Sequence, residues 1–338
     1  MLTSIPLDID QSRVVKYNGD TICIAGPGSG KTRVLTAKAE TLVRAGQDVI
    51  CLTFTRAAAQ EIRDRIPGIP AGTIHSLCHS VVGWKDNHGD LLDRYIQAGH
   101  EKYDWVLVDE VQDLTPEQLE VVFSLVGKHL FGVGDPFQSI YGYGGAVGGD
   151  IVSLLTRKGC KSFTLYNNYR SIPFIVKELN YIYRRNLVST GTDDNGITAI
   201  LCRSNAAVHS AGDILKRRKV GYRIRFGSNE YGPKKEIFRG SNKIQISTVH
   251  ASKGLEFRNV ILFGWAWDPT NSKSYGVQDS WHLDENLNVY YVAVSRAAVG
   301  FIEVLTAPEL LGALEGMVPD LKSLRYRDDE IRVGHSSA

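Results

Sequence analysis

Cysteine is scarce in this sequence, and the few thiols are not arranged for disulfide chemistry. The chain of 338 residues has five cysteines, which is an odd number, and none of them forms a C-x-x-C pair. Cys23 and Cys51 lie within short apolar runs that predict buried strands. The sequence therefore favours a reduced compartment in which the thiols are structural.

Long hydrophobic runs and a strong net charge are also missing. No run approaches the roughly 18 apolar residues that indicate a membrane-spanning helix, and the N-terminus lacks a basic stretch followed by an apolar one. We therefore expect a cytoplasmic protein that is neither secreted nor membrane-spanning. The net charge of +2 is too small to indicate nucleic acid by itself. The dense basic cluster Lys216–Lys219 is either a solvated helix face or a nucleic-acid contact.

What is present is an alternation of short apolar runs with helical patterns. The predicted strands are Thr21–Ala25, Val49–Thr53, Asp104–Asp109, Leu130–Val133, Ser162–Leu165, Ile197–Cys202, Lys243–Thr248 and Asn259–Phe263. The predicted helices are Lys31–Arg44, Ala57–Ile66, one that starts near Pro116, Pro173–Arg184, Ala206–Arg218 and Leu287–Ala298. Continuous apolar strands that alternate with helices indicate parallel sheets covered on both faces. The sequence therefore predicts an α/β protein with two domains in tandem.

A glycine-rich stretch from Gly142 to Gly149 marks the predicted end of the first domain. We therefore expect domains at 1–150 and 151–330, followed by a frayed tail at 331–338. Residues Ser228 to Gly240 predict an exposed loop.

A second glycine-rich segment follows the first predicted strand and opens a predicted helix. It reads Ala25-Gly26-Pro27-Gly28-Ser29-Gly30-Lys31-Thr32. Backbone N–H groups of such a loop and the helix N-terminus surround phosphate oxygens, while Lys31 reaches the β- and γ-phosphates. The Thr32 hydroxyl is a ligand for Mg²⁺. The segment predicts an ATP-binding loop, although Ala25 stands where the generic pattern has glycine.

Two adjacent carboxylates end a later apolar strand. The run Val106-Leu107-Val108 leads directly into Asp109 and Glu110. We expect Asp109 to hold Mg²⁺ through its water shell and Glu110 to orient and deprotonate the attacking water. Paired acids at a strand end also serve as simple helix N-caps, but the phosphate-binding loop upstream favours ATP hydrolysis.

With Val111-Gln112-Asp113 directly after the two acids, the chain is recognisable as similar to one family, and the similarity extends over nearly the whole chain. It is similar to the UvrD/Rep/PcrA-type superfamily 1 DNA helicases in a series of segments that occur in the family's order. These segments are Gln11, Thr53–Ala58 with Glu61–Arg63, Gly72–Ser76, Gly134–Tyr143, Asn168–Ser171, Ser247–Phe257 and Tyr291–Ala297. Each segment alone is made of ordinary residues, whereas all of them in order identify the family.

The resemblance implies two RecA-like domains with parallel sheets, which bind ATP and Mg²⁺ in the cleft between them. Arg170 and Arg296 are expected as arginine fingers, a type of contact worth about 10³–10⁵ in rate in related NTPases. A structural carboxylate is the alternative partner for either arginine. The residues implied in catalysis are Lys31, Glu110, Gln138, Arg170 and Arg296. The nucleotide-binding residues implied beyond Ala25–Thr32 are Gln11 and Tyr169 at adenine, Arg33, Gly254, and Glu256 at the ribose.

The resemblance also implies a single-stranded DNA track. Phe54, Tyr141 and Tyr143 occupy positions at which the family stacks bases, an interaction worth roughly 1–3 kcal/mol per base. Core packing is the alternative for aromatic residues beside a sheet edge. Further DNA contacts are implied for Arg56, Thr73, His75 and His250. RNA stays open as the track, because stacking and phosphate contacts accept both polymers.

The sequence departs from the family in two respects. Tyr143-Gly144 stands where relatives usually have Trp-Arg, and that arginine normally helps to link the DNA-binding loop to the ATP site. The segments Val81–Trp105 and Ile172–Ser247 are short, whereas relatives insert accessory subdomains there. We therefore expect a stripped motor core that moves along DNA well but unwinds weakly alone, or relies on a partner for unwinding.

Several functions are compatible with these motifs. The leading hypothesis is an ATP-dependent 3′-to-5′ single-stranded DNA translocase or helicase, acting at a 3′ tail or junction in repair, recombination or replication. Its direction is implied by the resemblance alone. A second hypothesis is a motor subunit of a nuclease-containing repair or defence complex, and a third is a nucleotide-gated DNA-binding module with little turnover. A small-molecule kinase is disfavoured, because it leaves the motifs after Asp109 unexplained.

Overall fold

Two units, Met1–Asn167 and Asn168–Ala338, each contain one main β-sheet with helices packed against it. The computed structural model describes residues 6–83, 91–191, 196–226, 234–265, 280–318, 321 and 331–336. Among these residues, no helix has the length and apolar character needed to cross a membrane. All five cysteines are buried free thiols, as expected for structural positions.

The first unit has a six-stranded, entirely parallel sheet in the order β3-β2-β4-β5-β1-β6. Its strands are β1 (Thr21–Ala25), β2 (Val49–Leu52), β3 (Ala71–Gly72), β4 (Tyr103–Val108), β5 (Val126–Gly134) and β6 (Lys161–Leu165). Its helices are α1 (Ile9–Lys16), α2 (Lys31–Arg44), α3 (Arg56–Arg65), α4 (Ile74–Val82), α5 (Leu91–Ala98), α6 (Pro116–Leu125) and α7 (Ile151–Arg157). Because the strands are parallel, all their carboxyl ends lie along one edge of the sheet.

Hydrophobic clusters cover both faces of this sheet. Along β4, Trp105 and Leu107 belong to the cluster that includes residues of α1, α2 and α3. Val106 and Val108 of the same strand belong to the cluster that includes residues of α4 to α7. Successive side chains of a strand point to opposite faces, so a continuous apolar run fills both layers.

Helix α1 is fixed to α2 by a buried lysine. Lys38 donates from Nζ to the carbonyl oxygens of Val15 (3.2 Å) and Tyr17 (2.6 Å) at the end of α1. Its ammonium also lies 4.3 Å from the centroid of the Trp105 ring. Burial lowers the pKa of Lys38 to about 8. These contacts hold the helix that carries Gln11 against the helix that follows the phosphate-binding loop.

The second unit has a mixed sheet in the order β10-β11-β9-β12-β13. Its strands are β7 (Asn167–Asn168), β8 (Val188–Ser189), β9 (Thr198–Cys202), β10 (Tyr222–Phe226), β11 (Lys234–Thr248), β12 (Phe257–Phe263), β13 (Ala297–Val304) and β14 (Ile331–Ser336). Its helices are α8 (Pro173–Tyr183), α9 (Asn205–Arg217), α10 (Ser280–Ser295) and α11 (Ala307–Met317). Strands β11, β9, β12 and β13 pair in parallel, whereas β10 and β14 run antiparallel to β11.

Three features differ from the sequence-based expectations. Strand β6 pairs with β1 in the first sheet, so the two units divide between Asn167 and Asn168 rather than after residue 150. Strand β11 already begins at Lys234, within the predicted loop Ser228 to Gly240, while 227–233 lie outside the described residues. Residues Ile331–Ser336 are not a frayed tail, because they form β14 along β11. In each case backbone groups bond to a strand that is distant in sequence, which local patterns do not reveal.

Candidate nucleotide and DNA site

The phosphate-binding loop connects β1 to α2 and is organised by its own backbone. Ser29 donates from Oγ to the Gly26 carbonyl oxygen at 2.6 Å, and Lys31 Nζ lies 3.4 Å from the carbonyl oxygen of Ala25. The N-cap residue of α2 is Gly30, and no side chain caps this end of the helix. The first-turn N–H groups of α2 therefore remain available to phosphate oxygens, with Lys31 beside them.

Glycine at position 30 is required by both conformation and space. Gly30 has a φ of +82°, in the left-handed region that is costly for residues with a Cβ atom. A Cβ there would also lie 3.0 Å from Nε2 of Gln11. That Nε2 atom donates to the Ser29 carbonyl oxygen at 3.0 Å, and Gln11 is fully buried. The predicted adenine-reading glutamine is thus attached directly to the loop.

Asp109 and Glu110 lie at the carboxyl end of β4, as the sequence predicts. Asp109 is buried, and its Oδ1 accepts a hydrogen bond from the Glu110 N–H at 2.9 Å. Burial and the adjacent Glu110 carboxylate raise the pKa of Asp109 to about 7, although the positive charge of Lys31 acts in the opposite direction. Glu110 itself has a φ of +48°, an uncommon conformation for a residue other than glycine.

The donor set at this edge fits a hard divalent cation such as Mg²⁺. A buried carboxylate whose charged form is disfavoured gains most when a cation lies beside it, and Asp109 is in this position. Among the described residues, no group of three or more His, Cys, Asp and Glu side chains could hold a metal ion. A magnesium ion held by Asp109 and Thr32 would take its remaining ligands from nucleotide oxygens and water.

A chain of hydrogen bonds links Glu110 to Gln138 through two residues that our sequence analysis did not assign to the site. Gln112 donates from Nε2 to Oε2 of Glu110 at 2.7 Å, and its Oε1 accepts from the Asp135 N–H at 3.1 Å. Asp135 in turn accepts from Nε2 of Gln138 at 2.9 Å. All three residues beyond Glu110 are buried. The expected base and the expected γ-phosphate sensor are therefore parts of one network.

The two predicted arginine fingers meet at Ser295 in the second unit. Arg170 donates from Nη1 to the Ser295 carbonyl oxygen at 3.0 Å and forms an ion pair with Glu256. Arg296 donates from Nη2 to Ser295 Oγ at 2.9 Å and from Nη1 to the carbonyl oxygen of Leu255 at 3.2 Å. Arg296 is only 3% exposed. In this structure Arg170 is thus paired with the carboxylate that the resemblance assigns to the ribose.

The other predicted nucleotide-binding residues of the second unit are close in sequence to Arg170 and Glu256. Tyr169, which precedes Arg170, is exposed, as a ring that stacks on adenine must be. Gly254 has a φ of +82° in the turn that leads to Glu256. In the first unit, Arg33 lies half-buried in the first turn of α2.

The predicted DNA-stacking residues follow the carboxyl ends of β2 and β5. The rings of Phe54 and Tyr141 stack on each other, with centroids 5.1 Å apart and an interplanar angle of 26°. Both side chains are half-buried, so they are accessible at the sheet edge rather than enclosed in the core. The side chain of Tyr143 lies outside the described part of the structure, although its backbone belongs to the turn Gly142–Gly144.

The remaining predicted DNA contacts lie at helix starts. Thr73 is buried and caps α4, because its Oγ1 accepts from the Ser76 N–H at 3.2 Å. His75 is half-buried in the first turn of α4, and exposed Arg56 is the first residue of α3. His250 is half-buried in a short 3-10 turn after β11. Thr73 therefore has a structural role that by itself accounts for its presence.

Gln112 and Asp135 could have been found from their positions. Gln112 stands two residues after Glu110, and Asp135 directly follows the strand that leads to Gln138. Polar residues immediately after buried parallel strands lie at the ligand-binding edge of such sheets. Only the fold, however, shows that the two residues bond to each other.

Two family models match this chain. A model of AAA domains matches residues 11–144, and a model of UvrD-like helicase C-terminal domains matches residues 228–301. The first match includes the phosphate-binding loop, Asp109, Glu110 and Gln138, and the second includes His250 and Arg296.

Several curated relatives with similar sequences are described as DNA helicases or as a RecBCD enzyme subunit. A probable DNA helicase of Mycoplasma pneumoniae is 29% identical over 252 residues, covering 65% of this chain and 45% of that protein. A putative ATP-dependent DNA helicase of Bacillus subtilis is 22% identical over 302 residues, covering 55% of this chain and 39% of that protein. A RecBCD enzyme subunit RecB of Mycobacterium tuberculosis is 33% identical over 132 residues, covering 36% of this chain and 12% of that protein. The chain thus matches less than half the length of each of these relatives.

A solved structure supports the fold. A structure of two coordinating Pif1 helicases at forked double-stranded DNA matches with a TM-score of 0.50 and 14% sequence identity, covering 92% of this chain and 97% of that chain. At this identity the likeness concerns the fold alone. Together with the parallel first sheet and its loop after β1, it confirms the predicted α/β fold with tandem RecA-like P-loop domains.

Proposed function

Because this chain belongs to the UvrD-like superfamily 1 helicases, we propose that it is an ATP-dependent helicase or translocase that acts on single-stranded DNA. One observation carries the proposal: residues suited to ATP and residues suited to DNA share the carboxyl edge of the first sheet. The phosphate-binding loop follows β1, Asp109 and Glu110 follow β4, and Phe54 and Tyr141 follow β2 and β5. Because these β-strands are neighbours, a structural change at the nucleotide can move the residues proposed to contact DNA.

The first unit supplies the residues for binding and hydrolysis. Lys31 and the N–H groups at the start of α2 bind the β- and γ-phosphates, while Glu110 orients the attacking water and accepts its proton. Thr32 and Asp109 hold Mg²⁺, which neutralises charge that develops on the phosphate oxygens. Gln138 contacts the γ-phosphate. Hydrogen bonds through Asp135 and Gln112 connect Gln138 to Glu110, so a shift of Gln138 changes the position of Glu110. The hydrogen bonds between these side chains support this assignment.

Arg170 and Arg296 supply the positive charge that stabilises the transferred phosphoryl group. Arg170 already has an anionic partner, so ATP competes with Glu256 for its guanidinium. The release of Glu256 makes that carboxylate available to the ribose. Arg296 is held by Ser295 and Leu255, which fixes its guanidinium before nucleotide arrives.

The DNA track is proposed to run past Phe54 and Tyr141. A base that stacks on these rings has to separate them, because their centroids are 5.1 Å apart in this structure. Arg56, His75 and His250 provide polar groups for the phosphate backbone, and Thr73 positions His75 through its cap of α4. Stacking of this kind is independent of sequence, as translocation requires.

We further propose 3′-to-5′ movement and a role in repair or recombination, in line with the family resemblance. Between α4 and β4 the described residues add only α5, and between α8 and β11 they add only β8, β9, α9 and β10. This compactness supports weak unwinding by the isolated chain and a partner that assists it. A nuclease is one candidate partner, because a relative is a RecBCD enzyme subunit RecB. Efficient unwinding of long duplexes by the purified monomer would argue against this.

The decisive experiment measures ATP turnover as a function of nucleic acid. The purified chain is assayed with oligo-dT, oligo-U, and duplexes that carry either a 3′ or a 5′ overhang. We expect stimulation by oligo-dT and preference for the 3′ overhang. Turnover that is unaffected by any polymer would favour a nucleotide-gated binding module instead.

A substitution tests the role of Glu110 in the same assay. Glu110→Gln keeps the size of the side chain but removes the base, and general-base catalysis contributes roughly 10²–10⁴-fold. We therefore expect loss of at least about 100-fold in turnover with ATP binding retained. Glu120→Gln is the matched control, because Glu120 is exposed on α6 and takes no part in the hydrogen bonds of this network. A Glu110→Gln variant with wild-type turnover contradicts the assignment.

A further inference from the structure

Helix α8 presents alternating aromatic and basic side chains on its outer face. Phe174 is 55% exposed and Tyr181 is 84% exposed, and Lys177 and Arg184 are exposed as well. Residues separated by three, four or seven positions share one face of a helix. Phe174, Lys177 and Tyr181 therefore lie on one face of α8, and Arg184, the C-cap residue with a φ of +48°, directly follows its last turn. We call these four residues the α8 stripe. Its two rings are about 10 Å apart along the helix axis, at about 1.5 Å per residue.

The fold itself does not use the α8 stripe. Helix α8 packs through Ile175, Val176 and Leu179, which are buried on its opposite side. Within the described part of the chain, none of the four stripe side chains takes part in a hydrogen bond, an ion pair or a ring contact. Two large aromatic side chains and two cations thus face solvent with no structural partner. Isolated exposed apolar residues are common, but this regular alternation with cations is not explained by packing.

The neighbouring charged groups face away from the α8 stripe. Glu178 is half-buried and turned toward α10, where burial and the carboxylates of Glu303 and Glu178 raise the pKa of Tyr290. Arg185 is half-buried and donates from Nη1 to the Tyr291 hydroxyl at 2.8 Å. The α8 stripe therefore carries two positive charges, and the one carboxylate of α8, Glu178, is half-buried and close enough to Tyr290 to raise its pKa.

We propose that the α8 stripe is a second binding site for single-stranded polynucleotide, separate from the residues at the edge of the first sheet. Bases stack on Phe174 and Tyr181, while Lys177 and Arg184 contact the phosphates between and beyond them. The two exposed cations favour a polyanion as the occupant, because Lys and Arg side chains neutralise backbone phosphates while the aromatic rings accept any base. The inference rests on the proposed function. The α8 stripe would bind either a further part of the polynucleotide that contacts Phe54 and Tyr141, or a second polynucleotide.

Binding measurements with four variants test this site. The pairs Phe174→Ala/Tyr181→Ala and Lys177→Ala/Arg184→Ala are compared with Phe54→Ala and with the exposed control Leu305→Ala. Fluorescence anisotropy with labelled oligo-dT of increasing length gives the affinity at several salt concentrations. We expect the aromatic pair, which removes two stacking contacts, to weaken binding of the longer oligomers at least about 30-fold. We expect the basic pair to reduce the slope of log affinity against log salt by about 1.4, at about 0.7 for each phosphate contact.

Photo-crosslinking locates the contact independently of affinity. Oligo-dT that contains 5-iodouracil is irradiated with the full chain, and crosslinked peptides are mapped. We expect an adduct on Tyr181 or Phe174 in addition to adducts near Phe54. Circular dichroism of each variant checks that the surface substitutions leave the fold intact.

The outcomes separate this inference from the proposed function. If Phe54→Ala weakens binding but both stripe pairs behave like wild type and no adduct maps to α8, the stripe is not a polynucleotide site. If the stripe substitutions change only the sedimentation coefficient of the chain and not its binding to oligo-dT, the α8 stripe is a protein contact. That result also overturns the proposal. A wild-type chain that binds no oligo-dT overturns the proposed function together with this site.

Discussion

Asp109, the buried carboxylate proposed to hold Mg²⁺, shows how the charge of one residue affects stability. Its carboxyl lies at the end of β4, where burial and Glu110 raise its pKa from 3.8 to about 7. The protein therefore places a poorly solvated negative charge where a cation is needed. Such a group costs stability in the empty site and recovers it when the cation and nucleotide bind.

This arrangement predicts a pH dependence with a definite sign. A carboxyl whose folded pKa is raised holds its proton in the folded state while the unfolded state loses it, between about pH 4 and pH 7. Its contribution to the free energy of unfolding is therefore fully present below pH 4 and is lost as the pH rises through 7. We expect Asp109→Asn, without nucleotide and with EDTA, to become progressively more stable than wild type as the pH rises from 5 to 7.

Urea unfolding at pH 5, 6, 7 and 8 measures this difference. Asp104→Asn is the control, because Asp104 is a carboxylate on the same strand that pairs with Lys128 near the surface. A stability difference for Asp109→Asn that is the same at every pH would show that the folded pKa is not raised.

At the scale of elements, the first sheet brings together the segments that follow its neighbouring strands. Gln112 follows β4 and Asp135 follows β5, and their hydrogen bond joins the two ends. The backbone at Gly134 lies so close that a Cβ atom there would collide with the Gln112 amide oxygen. This tight approach fixes the position of Gln112, which in turn fixes Glu110.

Gln112 is therefore predicted to be a positioning residue. Gln112→Leu removes both hydrogen bonds, and we expect kcat to fall about tenfold while KM for ATP changes little, because no contact with ATP is lost. Gln112→Glu keeps the oxygen that accepts from Asp135 but replaces the donor to Glu110 with an acceptor. Steady-state kinetics of both variants separate the two bonds, and full activity of Gln112→Glu would show that donation to Glu110 is unimportant.

The turn after Tyr141 offers a gain-of-function test. Gly144 is exposed, its φ is not positive, and a Cβ there would meet no atom within 4 Å. Gly144→Arg is therefore expected to leave the free energy of unfolding within about 0.5 kcal/mol of wild type. We expect this arginine, usual in the family, to lower the oligo-dT concentration that half-maximally stimulates ATP turnover.

Gly149→Arg is the matched control, since Gly149 is likewise exposed and surrounded by open space. It adds the same charge to the same segment. Equal stimulation by both arginines would indicate a general charge effect and not a specific link to the ATP site.

At the scale of the whole molecule, each unit has its own sheet and its own core. All strands of the first sheet lie within Met1–Asn167, and its two hydrophobic clusters contain only residues of that unit. Strand β6 is the last of these strands and pairs with β1, directly beside the phosphate-binding loop. A fragment that ends before β6 leaves the β1 edge unpaired.

Two fragments test this division. We expect the fragment 1–167 to fold cooperatively on its own, because it contains a complete parallel sheet and both clusters. The fragment 1–150 lacks α7 and β6 and is expected to aggregate or unfold at lower denaturant concentration. Circular dichroism and urea unfolding compare the two, and equal stability would show that β6 is dispensable for the first unit.

Much of the candidate site could be predicted because its chemistry is local in the chain. The loop at Gly28–Thr32 follows a strand and opens a helix, and the acids Asp109 and Glu110 end an apolar strand. Both patterns need only the alternation of strands and helices, which hydrophobic periodicity indicates. The hydrogen bond between Gln112 and Asp135 could not be predicted, since it joins the ends of β4 and β5, which are separate in sequence and adjacent in space.

The sequence by itself predicted the alternation of strands and helices, the two-domain α/β class, and the residues proposed to bind phosphate and bases. Only the tertiary structure decided that β6 belongs to the first sheet, that Ile331–Ser336 pair with β11, and that Arg170 binds Glu256. The physical reason is the range of the interactions. Apolar periodicity and loop conformation act between near neighbours, whereas strand pairing and ion pairing join groups that only the folded chain brings together.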